Sequence, residues 1–151
     1  MTRDAFIPLV GQARIRTPIW FELESDRPSS EAELDQLSAQ LGVALPSEYR
    51  EFLKTYGGGY FALANVFSAQ EGSPWNVVDQ NRRNGFSNSE FLAISSNGTG
   101  DLYGFAVKHG VACNEIVFRG HEDGFVTQSI EYEDLYEYLA QYALSTAQRD
   151  D

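Results

Sequence analysis

The sequence predicts an α+β fold: one domain with an antiparallel sheet of about four to six strands, and helices packed on one face and at both ends. Three observations carry this prediction. Two consecutive segments within 30–56 repeat apolar residues at helical spacing, short aromatic and aliphatic runs separated by Gly- and Asn-rich turns fill 60–130, and a third helical repeat closes the chain at 131–144. Helical patterns that flank the strand patterns, instead of alternating with them, imply segregated layers and not a doubly wound parallel sheet. A chain of 151 residues suits one such domain. Its core is expected over about 28–142, with 1–27 as an extension packed on it or partly loose.

Residues 1–28 mix apolar and charged residues without a sustained helical period, and Pro8, Pro18 and Pro28 punctuate them. A loop is expected there, with one strand near 19–23. Ser30-Glu31-Ala32-Glu33 then reads as a capping box, in which Ser30 and Glu33 satisfy each other's backbone donors ahead of an apolar face at Leu34, Leu37 and Leu41. Gly42 is placed to stop that helix in the left-handed conformation. A second helix is expected with Pro46 in its first turn, Glu48 near its positive end, and Tyr49, Phe52, Leu53 and Tyr56 on its buried face. Gly57-Gly58-Gly59 ends it and releases the chain into a strand at 60–67. A short helix over 76–83 follows. Strand runs at 91–94 and 102–107 flank the loop 95–101, and runs at 115–118 and 125–130 flank the turn 121–124. In the last helix, expected over 131–144, Leu135, Tyr138, Leu139 and Tyr142 form the apolar face.

Composition narrows the function classes. Hydrophobic residues at 42%, with ten Phe and eight Tyr, supply a core that a disordered chain lacks. No run approaches membrane-spanning length and no signal-peptide pattern is present, so a soluble, cytoplasmic protein is expected. The net charge of −11 argues against direct nucleic-acid binding, because counterion release needs clustered Lys and Arg. The acid excess is skewed: residues 85–148 carry nine acids against Lys108 and Arg119 alone. Such a surface suits a cationic partner, and equally a solvated face that keeps the protein soluble.

Chemistry-bearing groups are few. Cys113, with His109 and His121 in the same half, is the sole cysteine, which excludes an internal disulfide and a thiolate cluster. A lone Cys is ordinarily a small buried hydrophobe, and no spacing supplies the carboxylate and oxyanion donors that a Cys-His nucleophile needs. His121-Glu122-Asp123 sits on a tight turn whose side chains diverge, and two His give no zinc pattern. Gly57-Gly58-Gly59 follows a helix and lacks the Lys of a phosphate loop. No catalytic residue, metal or cofactor is therefore expected. Glu122, Asp123, Glu133, Asp134 and Glu137 remain as candidate partner-binding residues, although acids in the first turns of a helix are also favoured by its dipole.

The segment from Leu45-Pro46 through Tyr49, Phe52 and Leu53 to Gly57-Gly58 resembles the signature of the SMI1/KNR4 superfamily, with Tyr56 where an Asn is usual. Phe91-Leu92-Ala93-Ile94, followed by Asn97-Gly98-Thr99-Gly100-Asp101-Leu102-Tyr103-Gly104-Phe105, is similar to its second block, and Asp134-Leu135-Tyr136-Glu137-Tyr138-Leu139 to its closing helix. The resemblance covers roughly 28–142. It implies a compact α+β domain without a shared catalytic constellation, used in bacteria chiefly as an immunity protein beside polymorphic toxins and in fungi as a cell-wall regulator. It thus implies a protein partner, a toxin, or alternatively a regulatory or scaffolding role; the acid excess in turn points to a cationic toxin domain such as a nuclease or deaminase.

Overall fold

The computed structural model describes residues 1–145. Its first element departs from the expected loop. Helix α1 (Arg3–Arg16) starts at Thr2, whose side chain accepts a hydrogen bond from the Ala5 N–H, and it buries Phe6, Val10 and Ala13. These three follow i, i+4, i+7, yet Pro8 lies between them and removes one helical hydrogen bond. Burial outweighs that loss, since helices in proteins are stabilised mainly by tertiary packing: the Phe6 ring stacks on Tyr136 at 4.7 Å and on Phe61 at 6.2 Å. The strand expected at 19–23 is absent, because Pro18–Phe21 forms a 3₁₀ turn.

The next two helices follow the sequence signals closely. Helix α2 (Glu31–Leu41) carries the full capping box, with Arg27 bidentate on Glu33 at 2.9 and 2.7 Å, and it ends at left-handed Gly42. Helix α3 (Ser47–Tyr56) starts one residue after Pro46, which occupies the N-cap position and not the first turn. Tyr49, Phe52 and Leu53 are buried, and the Tyr49 hydroxyl donates to the Phe67 carbonyl at 2.6 Å. Gly57 ends α3 at φ +83°, where a Cβ would lie 2.2 Å from the Asp26 carbonyl oxygen. The turn therefore needs glycine for both conformation and space.

The single strand expected at 60–67 is a hairpin, β1 (Gly59–Phe61) and β2 (Ala64–Val66), turned at Ala62 with φ +49°. Backbone bonds from Asp26 to Gly58 (2.9 Å) and from Tyr60 to Glu24 (3.1 Å) lay residues 24–26 beside it. Helix α4 (Val77–Arg83) is capped by Asn76. Strands β3 (Phe91–Ser96), β4 (Leu102–Lys108), β5 (Val111–Arg119) and β6 (Gln128–Tyr132) form an antiparallel meander in that order. The closing helix begins four residues later than expected: α5 (Leu135–Tyr138) runs into a π-helical turn, Leu139–Ala143. Residues 128–132 pair with β5 instead, and Asp134 serves as N-cap, accepting from the Glu137 N–H at 2.8 Å.

Helices α3 and α5 share one face of the meander. Tyr49 meets Phe105 at 5.8 Å, while Tyr138 meets Tyr103 at 4.9 Å and Tyr132 at 5.2 Å. The outer edge of β3 is met by two side-chain amides and one backbone N–H. The Asn81 amide donates to the Ala93 carbonyl at 2.9 Å and accepts from the Ala93 N–H at 2.9 Å. Asn65 does the same at Ser96 (3.1 and 2.9 Å), and the Phe67 N–H reaches the Ile94 carbonyl at 2.7 Å. Asn81 is only 1% exposed, so both Ala93 groups would be left unpaired in a dry site without it.

Asn81→Leu, close to isosteric but unable to bond, should cost about 2–4 kcal/mol in urea unfolding. Gly57→Ala should be similarly damaging, at about 2–4 kcal/mol or more, through strain and overlap. A loss below about 1 kcal/mol for either would contradict these roles.

Candidate functional site

Strand β6 organises the acidic half of the protein. Gly120 to Ser145 holds six acids and no Lys or Arg, and Gln128, Ser129, Ile130 and Glu131 on the strand are exposed. The candidate acids fall at its two ends. Glu122 and Asp123, in the 3₁₀ turn His121–Asp123, line a shallow groove of about 460 Å³ with Asp101, Phe118 and Gln128. Glu133 and Glu137 line a second, of about 300 Å³, with Glu131, Tyr132 and Gln141. Asp134 lines neither.

The five carboxylates differ in what already holds them. Asp123 accepts from the backbone N–H groups of Val126 (3.2 Å) and Thr127 (2.9 Å), and hydrogen bonding from Thr127 before all else keeps its pKa below the usual carboxylate value. Asp134 caps α5 and pairs with the Met1 ammonium at 2.7 Å, which also stands 3.8 Å from Glu137. Glu137 accepts from the Gln141 amide at 2.9 Å as well. Glu122 and Glu133 project into solvent. Glu131, placed by sequence reasoning inside the closing helix, instead stands on β6 beside them. Its signal was the strand run ending at 130, which continues two residues further.

On the buried side of the same region lies Glu48, which sequence reasoning had only as a favourable charge near the start of a helix. Its Oε1 is buried without a hydrogen-bond partner, and burial first, then Asp134, push its pKa from 4.5 up to about 7, against the opposing pull of the Met1 ammonium. The nearby Glu51 is satisfied by the Tyr136 hydroxyl at 2.8 Å.

The residues weighed for catalysis are kept apart or committed elsewhere. Among the described residues Cys113 forms no hydrogen bond to either histidine; His109 occupies the β4–β5 turn at φ +52°. His121 Nδ1 lies 2.7 Å from Asp101 Oδ1, which also accepts from the His121 N–H at 3.0 Å, so the pair ties the 3₁₀ turn to the β3–β4 loop. Among the described residues no group of three or more His, Cys, Asp or Glu is arranged to hold a metal ion, and no helix is long and apolar enough to cross a membrane.

A family model described as SMI1-KNR4 cell-wall (SUKH_6) matches residues 31–139. That span runs from the start of α2 into the closing helix and includes the hairpin and the whole meander. No curated protein matches the chain by sequence.

Because the pKa of Glu48 lies above its ordinary value in the folded state, the native protein binds that proton more tightly than the unfolded chain does. Its stabilising contribution is full below about 4.5 and is lost as pH rises to about 7. Glu48→Gln should therefore raise the unfolding free energy at about pH 8 by about 1 kcal/mol, discounted for the partial exposure of the residue, and leave it nearly unchanged at about pH 4. Equal effects at both pH values would remove this assignment.

Proposed function

The chain belongs to the SMI1-KNR4 cell-wall family, and from that premise we propose that it is a non-enzymatic protein-binding domain, an immunity protein that neutralises a toxin by covering its active cleft. The observation that carries the reading is the surface on either side of β6, where six acids between Gly120 and Ser145 stand without a single Lys or Arg. A cleft built to bind nucleic acid is cationic. An acidic protein surface complements it, steers the encounter and excludes the substrate. Nuclease and deaminase toxins are therefore the fitting partners. The candidate contacts are Glu122, Asp123, Glu133, Asp134 and Glu137, together with Glu131.

Their roles divide by what holds them. Glu122 and Glu133 would supply charge that is free to pair, as would Glu131, which accepts from the exposed Ser129 hydroxyl at 2.6 Å, whereas Asp123 and Asp134 also hold backbone in place, so reversing them would disturb the fold along with the interface. The cell-wall description of the family favours a second reading, a regulatory or scaffolding domain inside the cell.

Co-expression with the product of an adjacent toxin-like gene, scored by survival and by a co-purifying stoichiometric complex, separates the two. Rescue with a complex supports immunity; unrelieved toxicity at good expression, with no complex, supports regulation. In a rescuing pair, Glu122→Lys combined with Glu133→Lys should slow association about five- to tenfold and flatten its dependence on salt, while leaving the unfolding midpoint nearly unchanged. Association that is unaltered at low salt would take these acids out of the interface.

A further inference from the structure

We propose that the outer edge of β6 is a docking strip on which an extended, lysine- or arginine-bearing segment of a protein partner adds to the sheet as a further strand. The inference deepens the protein-binding reading above and rests on it for the nature of the partner; the mode of docking comes from the sheet itself.

The two edges of the meander are treated differently. At β3 the outward groups of Ala93 and Ser96 and the Ile94 carbonyl are met, by Asn81, by Asn65 and by the Phe67 N–H. Among the described residues, β6 has β5 as its one strand partner, and no backbone hydrogen bond reaches it from any other segment. An open edge is a template for another strand. Its side chains suit that use: Thr127, Ile130 and Tyr132 favour extended backbone, no Pro or Lys interrupts 125–132, and Val126 and Ile130 are 77% and 64% exposed, ready to pack on an incoming chain.

Charge selects the occupant. The open strand is bounded by the Glu122 and Asp123 groove at one end and the Glu131, Glu133 and Glu137 groove at the other. The guanidinium of Arg119, on the neighbouring strand, is engaged: it donates to Gln128 Oε1 at 3.1 and 2.8 Å and lies 4.7 Å over the Phe91 ring. A second copy of this chain would bring the same acids against each other, so like charges disfavour self-pairing through β6. A cationic strand meets opposite charge at both ends. Main-chain bonds along the centre supply affinity with little demand on its sequence, and the flanking carboxylates supply the selection.

Residue-resolved amide hydrogen exchange on the full chain tests this with two blocked synthetic peptides, one alternating lysine with valine and threonine, the other with glutamate in place of lysine. In excess lysine peptide at low salt, alternate amides within 128–132 should exchange at least about tenfold more slowly, with no such change from the glutamate peptide. Glu131→Lys combined with Glu133→Lys should weaken the lysine peptide about tenfold. No β6 protection by the lysine peptide, or protection centred on another segment, overturns the proposal. With a toxin domain that co-purifies, a complex that leaves the β6 amides exchanging freely also overturns it while sparing the protein-binding reading. Docking of the lysine peptide without any toxin complex leaves the strip standing and removes the immunity reading.

Discussion

The carboxamide of Asn81 stands in for a strand. By donating to and accepting from Ala93 at 2.9 Å each way, it gives Ala93 the partner that no strand provides, and a third bond to the Val77 carbonyl at 2.8 Å fixes the same amide to the first turn of α4. Asn65 repeats the device at Ser96, and the Ser95 hydroxyl bridges the Asn65 carbonyl (2.6 Å) to the Tyr138 hydroxyl (2.7 Å). The hairpin, α4, the meander and α5 are thus joined through a short stretch of β3. Buried polar groups of this kind stabilise only when every partner is present, which makes the region specific as well as strong. The β3 run Phe91–Ile94 is fully buried around it, so water cannot replace a missing partner.

With that edge closed, the opposite edge becomes the distinctive part of the surface. Strand β6 is short, exposed and open, and the acids of the C-terminal half gather at its ends. The hydrophobic core does not reach out to it: Tyr132 is the one residue of β6 that packs against the core, while Ile130 and the adjoining Val126 face solvent. The same architecture therefore puts its structural demands at β3 and, among the described residues, leaves β6 paired with β5 alone. Within the acidic group the division is equally physical. A carboxylate that caps a helix or a loop is fixed by backbone donors, and one without such donors keeps its charge available for a partner.

Much of the fold was legible because its signals are local. The Ser30/Glu33 box, Gly42 and the Tyr49-Phe52-Leu53 face each act within a few residues, and α2 and α3 lie where those residues put them. The β3–β4 loop at 95–101 is similarly local. The misreadings share one cause, a long-range partner. Helix α1 exists against the punctuation of Pro8 because Phe6 finds Tyr136 and Phe61. Residues 131 and 132 are strand and not helix because β5 lies alongside them, and 60–67 folds back on itself at Ala62 because residues 24–26 and β3 flank the two arms.

By itself, then, the sequence determined the α+β class, the family, the two central helices and the concentration of acids in the C-terminal half. All follow from short-range periodicity, capping and charge. Only the tertiary structure decided which of those acids are held by backbone donors, that one Glu48 oxygen is buried without a partner, and that, among the described residues, Asn81 and Asn65 bond one edge of the sheet while the other pairs with no second strand. Those outcomes depend on which groups distant in the chain come within hydrogen-bonding reach, and burial then makes the energy of each such group hinge on whether its partner arrives.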